Sequence, residues 1–427
     1  MRALLFSKHG GRLSLRANFS WTLAGNVVYN GCQWGLVIVL AKLGSPELVG
    51  QYAIALAVAT PVYMFTNLGV SVVLITDVQD RRAFGEYLGH RLVFSSLGLL
   101  FIVGIVAVGG YQKDLFGIVA LVGLAKFAES ISDISYGLMQ KQERLDVMAR
   151  SLVLRGVLSL VAMTVAFYIS RSLAVALAAQ VVVWSGVLWL HDLPNARRWQ
   201  AARPRFGPRM LARLSWLALP LGIVAGLGSL DAQVPRYTLE HFWGQRELGI
   251  YSAIASLGVV VSLIIVALSR SALPRLSRLY AQGAFRAFLR LLVRLIAIGA
   301  GVGLLGFVGA ALVGAPFLRL VYTEEYAAYK DVLMVVMGSM GLVAAFTFLG
   351  TAVTATQQFT VQVLIHLTKV AAIAGACFLL VAPWGALGAA WAVLIGSAVS
   401  AAAFCLVLWR SMRRATRSVG EAGGISS

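Results

Sequence analysis

The fourth strongly apolar segment of the sequence carries charged residues on one face. Lys126, Glu129 and Asp133 are spaced i, i+3 and i+7, as side chains on one face of a helix are. Charges inside an apolar helix are costly, so they are expected to face a partner or water. Two interpretations are open. Lys126 meets an anionic group while Glu129 or Asp133 exchanges a cation or proton, or Lys126 and Glu129 form an ion pair that locks helix packing.

The eleventh apolar segment carries a second polar face. Gln358, Gln362, His366 and Lys369 follow one another at i, i+4, i+8 and i+11. No acid of the same segment lies near Lys369, which favours an anionic ligand or an acidic partner on another helix. His366 could titrate near neutral pH, but a membrane histidine is more often a hydrogen-bonded packing residue.

Three further places in the sequence carry candidate residues. The amides of Asn26, Asn30 and Gln33 share one face of the first segment, where they suit either sugar hydroxyls or bonds between helices. Asp231 closes the seventh segment and joins the two acids of the fourth as a candidate for ion coupling. Arg155 lies about one turn into the fifth segment. It meets a substrate head group or anchors at the interface, and we favour the anchor.

Motifs for other chemistries do not occur in the sequence. There is no Gly-rich phosphate loop with its lysine, no His/Cys cluster and no pair of carboxylates beside an acceptor site. We therefore expect no catalytic residue, no metal and no cofactor, apart from a coupled H⁺ or Na⁺. The lack of an ATP-binding motif argues against a primary pump, and a polar interior in an apolar bundle is typical of a secondary transporter or flippase.

The elements that must position these residues are membrane-spanning helices. Of the 427 residues, 59% are hydrophobic and 12% are charged, against about 25% charged in ordinary soluble domains. Apolar stretches long enough to cross a bilayer recur along the whole chain, without the alternating polarity of barrel strands. The net charge of +19 comes from basic residues between these stretches. It therefore indicates membrane topology rather than nucleic-acid binding.

The sequence predicts about twelve spans with both termini in the cytoplasm. The spans are 18–41, 50–76, 87–109, 115–140, 151–170, 173–191, 214–233, 247–269, 290–313, 331–354, 359–381 and 384–409. This placement puts 26 of the 36 basic residues in the inner loops and the adjoining span ends, Arg91 among them, and 7 on the outer side. Lys126, Arg155 and Lys369 are the three that lie deeper within spans.

A weak internal repeat divides the chain into two lobes of six helices. Gly50-Gln51-Tyr52-Ala53 opens the second span, and Gly249-Ile250-Tyr251-Ser252 opens the eighth. The same place and orientation in each half predict parallel repeats. We assign 1–200 to an N-terminal lobe and 201–427 to a C-terminal lobe with a basic cytoplasmic tail. The basic segment 192–213 is expected to be the linker, and 270–294 a helix on the inner leaflet, with a solvated loop as the alternative.

Several segments together resemble a known family. They are AKLGSPELVGQYAIALAVATP with NLG shortly after it, AESISDISYGLMQKQERLDVMARS, VPRYTLEHFWGQRELGIYSAIASLG and ALSRSALPRLSRLYAQG. In their order they resemble the polysaccharide-transport branch of the multidrug/oligosaccharidyl-lipid/polysaccharide exporter superfamily, the Wzx-type flippases. Each pattern is loose, so the resemblance depends on their combination.

The resemblance implies a fold and a function. The fold is an all-α polytopic membrane protein with a MATE-like exporter architecture of two six-helix lobes. The function is the translocation of undecaprenyl-diphosphate-linked oligosaccharide across the bacterial inner membrane by alternating access, with ion coupling. The partners are the lipid-linked oligosaccharide, the lipid bilayer, and polysaccharide polymerase and chain-length proteins, with no nucleic acid. The glycan would be an O-antigen of lipopolysaccharide or an exopolysaccharide.

Two alternatives to a flippase stay open at this point. A cation-coupled drug or metabolite exporter of the same superfamily would use the acids of the fourth span and have little need of Lys369. A membrane glycan polymerase or ligase would need a folded outer platform, for which 314–330 is the longest outer connection.

Overall fold

The computed structural model describes residues 14–77, 79–108, 113–356 and 359–423, and every regular element in these ranges is helical. The α-helices are α1 (Leu15–Leu43), α2 (Pro46–Thr66), α3 (Val70–Thr76), α4 (Phe84–Val108), α5 (Lys113–Lys141), α6 (Leu145–Ser170), α7 (Leu173–Val187), α8 (Leu193–Ala196), α9 (Pro208–Ala281), α10 (Phe285–Val321), α11 (Glu324–Ala327), α12 (Lys330–Ala355) and α13 (Phe359–Gly423). A π-helical turn, Leu188–Asp192, joins α7 to α8. The predicted all-α class is confirmed.

Two of the long helices bend at a glycine, which brings the number of spans to the predicted value. In the described residues, ten helical stretches are long and apolar enough to cross a membrane. Gly244 in α9 has φ 75° and Gly385 in α13 has φ 52°, left-handed values that suit a residue without Cβ. Each glycine divides its helix into two apolar runs, so ten stretches plus two bends give twelve spans. About twelve transmembrane helices are therefore confirmed.

The predicted linker 192–213 packs closely against the start of α4. Residues 201–207 form no helix or strand, and the Arg205 amide donates to the Gly85 carbonyl at 2.8 Å. A Cβ at Gly85 would lie 2.2 Å from the Arg203 carbonyl oxygen, and one at Gly89 would lie 2.0 Å from that of Arg205. Glycine at both positions lets the backbone of this segment lie directly on the helix.

The segment 270–294 is helical, but it is not the single helix that the sequence predicts. Residues up to Ala281 continue α9, and residues from Phe285 onward begin α10. A short turn joins the two helices, with Gly283 at φ 67° and its amide bonded to the Tyr280 carbonyl at 3.0 Å. The arginines of this segment therefore lie on the two helix ends that flank this turn. The alternative of a solvated loop is wrong, because all of the segment except the turn is helical, and its place on the inner leaflet stays a prediction.

The chain forms two compact units, Met1–Ser229 and Leu230–Ser427. The first has a core around Phe84, Tyr87 and Trp184, and the second has one around aromatic residues of α10, α12 and α13. The unit boundary lies within α9, so the first part of this helix belongs to the first unit by its packing. The sequence-based boundary at 200/201 places the same part in the second lobe.

Candidate functional site

Lys126 and Glu129 form an ion pair on α5. Lys126 Nζ lies 2.7 Å from Glu129 Oε2, and the Tyr29 hydroxyl on α1 donates to Glu129 Oε1 at 3.2 Å. The pair follows from the i, i+3 spacing, as the packing interpretation predicts. The side chains are 20% and 29% exposed, so neither is sealed in a core. Their position in the interior is therefore compatible with both interpretations of the sequence.

A second ion pair lies across three helices of the first unit. Arg91 on α4 donates through Nη2 to Asp133 on α5 at 2.9 Å and to the Ser71 hydroxyl on α3 at 2.7 Å. Arg91 is 1% exposed, whereas the Asp133 side chain is 49% exposed. The two other guanidinium nitrogens, Nε and Nη1, have no hydrogen-bond partner among the described residues. The Asp133 carboxylate is thus partly exposed beside a buried guanidinium group, of which two nitrogens have no hydrogen-bond partner among the described residues.

Both ion pairs line one cavity of about 310 Å³ in the first unit. The rest of its wall includes Tyr63 and the polar side chains of Asn67 and Ser130. Ser130 donates to Asn67 Oδ1 and also pairs with the Ser95 hydroxyl at 2.7 Å. Two cations and two carboxylates face this space, so its formal charge is zero. Any anion that binds here must compete with a carboxylate for Lys126 or Arg91.

Arg155 is not the interface anchor that we favoured, because it is 1% exposed. Its guanidinium lies 5.1 Å from the ring of Trp184 and donates to the Ser132 hydroxyl. Nη2 is 3.5 Å from Asp192 Oδ2, and His191 Nδ1 is 3.0 Å from Asp192 Oδ1. The π-helical turn directs His191 and Asp192 inward together, and π-turns are frequent at functional sites. Arg155 lies outside the cavity wall.

The amides of α1 are half-buried and bond largely within their own helix. Asn26 Nδ2 donates to the Thr22 carbonyl and Asn30 Nδ2 to the Asn26 carbonyl, each at 2.8 Å. Gln33 Oε1 is buried and has no hydrogen-bond partner among the described residues. Gln33 is therefore the member of this face that has unused hydrogen-bonding capacity in the interior.

In the second unit, Lys369 pairs with an acid from another helix. Lys369 Nζ lies 2.8 Å from Asp231 Oδ2 on α9, and the side chains are 8% and 17% exposed. The same ammonium lies 4.0 Å from the centre of the Phe346 ring on α12. His366 meets the edge of that ring at 5.4 Å. Lys369 and Asp231, predicted separately to bind substrate and to couple an ion, are therefore direct partners.

The other predicted residue of α13 has a bond of its own. Gln362 donates to the Thr354 hydroxyl at 2.8 Å, and Gln358 lies outside the described residues. Within the described part of the chain, no group of three or more His, Cys, Asp or Glu side chains could hold a metal ion.

Sequence reasoning missed three members of the charged interior, Arg91, Asp192 and Ser71. Arg91 lies inside the predicted span 87–109, but it was assigned to an inner loop with its basic neighbours. Its position within that span was the available signal. Asp192 follows the span 173–191 directly, and only the π-helical turn directs it inward. Ser71 gives no signal in sequence, because its role depends on the Arg91–Asp133 contact across helices.

The fold and the charged interior define a polytopic α-helical membrane protein. The structure resembles that of the lipid II flippase MurJ in an inward closed conformation, with a TM-score of 0.76 and 9% identity over 91% of this chain and 87% of that one. It also resembles an inward-facing multidrug resistance MATE family transporter of the MOP superfamily, with a TM-score of 0.73 and 12% identity over 91% and 95%. At these identities the likeness shows the fold alone.

The sequence match identifies the family. Residues 15–280 match the family described as polysaccharide biosynthesis protein, and the chain belongs to it. The capsular polysaccharide biosynthesis protein CapF of Staphylococcus aureus is 28% identical over 90% of this chain and 96% of that protein. The resemblance to the polysaccharide-transport branch of the exporter superfamily is confirmed.

Proposed function

We propose that this protein is a flippase that moves undecaprenyl-diphosphate-linked oligosaccharide across the bacterial inner membrane by alternating access. The observation that carries the proposal is the cavity of the first unit, in which two ion pairs and a set of neutral hydrogen-bonding groups face about 310 Å³ of space. Family membership and the similarity to a lipid II flippase support a substrate of lipid-linked sugar.

The ion pairs suggest how a diphosphate could bind without excess charge. Lys126 and Lys369 each have a carboxylate within 2.7 and 2.8 Å. A diphosphate that takes the lysine leaves that carboxylate without its counter-ion, which favours uptake of H⁺ or Na⁺ by Glu129 or Asp231. Substrate and coupling ion would then bind together. This exchange gives Glu129 and Asp231 their proposed role in coupling, and Asp133 would take the same role where the substrate displaces it from Arg91. The amides of α1 and Gln362 would bind the sugar hydroxyls.

The test is glycan export in a strain that depends on this gene. We expect Lys126→Ala and Lys369→Ala to insert normally, to lose surface polysaccharide, and to accumulate lipid-linked repeat units inside the cell. Lys42→Ala is the matched control, because Lys42 is exposed at the end of α1. Normal surface polysaccharide in both interior variants would exclude the proposed roles of the two lysines.

A drug or metabolite exporter of the same superfamily is the second candidate. It is favoured by the half-exposed Asp133 carboxylate in the cavity and by the fold shared with a multidrug transporter. This function predicts altered drug susceptibility on deletion with surface glycan intact, and it predicts that Lys369→Ala is harmless. A polymerase or ligase receives less support. The segment 314–330 is the end of α10 followed by the short helix α11, without a folded platform.

The location and partners belong to the same proposal. We infer an inner-membrane protein with both termini in the cytoplasm, working beside a polysaccharide polymerase and chain-length proteins, and acting as a transporter rather than an enzyme. A reporter fused after the last residue distinguishes the two orientations. Periplasmic activity of that reporter would contradict the inferred topology.

A further inference from the structure

A second cavity of the first unit lies outside the charged interior, at the start of α4. Its volume is about 520 Å³, and three of its lining residues are Arg82, Arg203 and Arg205. Arg203 and Arg205 are exposed, and their guanidinium groups have no carboxylate partner among the described residues. Three arginines around one concave space supply many N–H donors and a strong positive potential.

The acid of this cavity is already neutralised. Asp80 Oδ1 lies 2.6 Å from Lys141 Nζ and accepts from Gln200 Nε2 at 3.1 Å. Gln200 Oε1 in turn accepts a hydrogen bond from the Phe84 amide at 2.8 Å. The Gln200 side chain therefore links Asp80 to the start of α4. The positive charge of the three arginines is therefore left for a ligand from outside the unit.

The wall that carries two of the arginines is held in place by its backbone. The segment 201–207 is bonded to α4 by the Arg205 amide, which donates to the Gly85 carbonyl at 2.8 Å. At Gly85 and Gly89 the helix has no room for even a methyl group next to this segment. The arginine Cα positions are thus fixed before any ligand binds, which lowers the entropy cost of binding.

We propose that this cavity binds a phosphate group, with Arg203 and Arg205 as the principal ligands and Arg82 as a third. Arginine is suited to phosphate because its planar fork donates two parallel hydrogen bonds. The topology predicted from the basic residues places the cavity on the cytoplasmic side. There the phosphate belongs to an anionic lipid headgroup or to a soluble phosphate compound. The site is separate from the transport cavity and does not depend on the proposed transport function.

The experiment measures lipid binding to the full-length protein by native mass spectrometry. The probes are phosphatidylglycerol and phosphatidylcholine, and pyrophosphate is added as a competitor. The test variant is Arg203→Gln/Arg205→Gln. The matched control is Arg209→Gln/Arg213→Gln, which removes the same charge from exposed residues of α9 outside the cavity wall.

We expect the test variant to bind phosphatidylglycerol roughly tenfold or more weakly, while the control changes little. Arg203→Lys/Arg205→Lys keeps the charge and should restore only part of the binding, because lysine lacks the fork. Unchanged thermal unfolding of the variants confirms that they fold. Displacement by millimolar pyrophosphate identifies a soluble phosphate as the occupant, and its failure identifies a lipid headgroup. Equal losses in test and control variants, or no loss in either, would overturn the proposal.

Discussion

Each unit has a buried cation in the fifth predicted span of its half. The cation of the first unit is Arg155 on α6, and that of the second unit is Lys369 on α13. Each cation lies over an aromatic ring and near a carboxylate of another segment. A buried cation at corresponding places in the two halves is what the predicted internal repeat would produce.

The two units differ in the number of ion pairs in their interior. The first unit adds two further ion pairs, Arg91–Asp133 and Lys126–Glu129, with hydroxyl groups around them. In the described part of the second unit, Lys369–Asp231 is the ion pair in which both side chains are less than a fifth exposed. The interior charge of the first unit is thus distributed over several ion pairs, whereas that of the second unit lies in one pair. Loss of one carboxylate should therefore destabilise the second unit more than the first.

The largest effect is expected for Asp231→Asn. This change leaves the Lys369 ammonium, in a residue that is 7% exposed, without its carboxylate partner. Removing one member of a buried ion pair costs about 3–5 kcal/mol of unfolding free energy, because the other charge stays buried. Thermal unfolding of the purified protein measures the loss. The double variant Asp231→Leu/Lys369→Met should recover most of the stability without recovering transport.

The control for this prediction is an exposed pair of the same unit. Arg246 Nη2 and Glu325 Oε1 are ion-paired, with Arg246 62% exposed. Glu325→Gln is therefore expected to cost less than about 1 kcal/mol. If Asp231→Asn costs no more than Glu325→Gln, interior charge in the second unit is not concentrated in the Lys369 pair.

The next prediction compares α4 with α10, the third span of each half. Gly89→Ala would place a methyl group 2.0 Å from the Arg205 carbonyl oxygen and push the segment 201–207 off α4. We expect a loss of about 1–3 kcal/mol, as for other overpacked sites. Gly301→Ala in α10 and Gly104→Ala in α4 are the controls, because a Cβ at either meets no atom within 4 Å. Thermal unfolding and protease cleavage within 201–207 measure the effect. Cleavage that is equal in all three variants would exclude backbone anchoring on α4.

A smaller effect is expected for Asp133→Asn in the first unit. The amide oxygen of the substituted side chain could still accept from Arg91, and the Ser71 hydroxyl stays 2.7 Å from Arg91 Nη2. We expect a loss of about 1–2 kcal/mol, toward the low end of the cost of weakening a hydrogen bond to a charged group. The loss is smaller than at Asp231 because the Asp133 side chain is 49% exposed, so water can replace the lost carboxylate. Thermal unfolding beside Asp231→Asn gives the comparison directly. An equal loss of unfolding free energy in both variants would contradict the conclusion that several groups stabilise the interior charge of the first unit.

Local spacing predicted those parts of the site that lie on one helix. The i, i+3 relation of Lys126 and Glu129 is fixed by helix geometry. Hydropathy placed most spans of the first half within a few residues of the observed helices, whereas α9, α10 and α13 extend well beyond the predicted spans. The lack of an acid beside Lys369 correctly indicated a partner elsewhere. The identity of that partner, Asp231, depends on how α9 packs against α13, which a single sequence does not encode in its spacing.

Contacts between helices account for what the sequence missed. Arg91 and Asp133 are 42 residues apart, and their pairing exists because α4 packs on α5. The inward direction of Asp192 follows from one π-helical turn, which shifts the helix register by one residue.

The smallest effect concerns Asp77, a carboxylate just after the end of α3 and outside the spans. Burial raises the pKa of Asp77, but hydrogen bonds from the Arg81 amide, the Tyr87 hydroxyl and the Arg82 amide outweigh it, so the pKa lies below its usual value. Because the folded pKa is lowered, the stabilisation is complete above the unfolded value of about 4 and is lost as the pH falls through the folded value.

The wild type should therefore lose stability relative to Asp77→Asn as the pH is lowered from about 5 to 3. The difference should stay below about 1 kcal/mol, since Asp77 is half-buried and screened by water. Melting temperatures at several pH values measure it. Asp331→Asn, at the start of α12 in the second unit, is the matched control. A difference that does not change with pH would mean that these hydrogen bonds do not favour the ionised form. Asp77 would then lack the stabilisation that the ion-paired acids in the interior of the first unit receive.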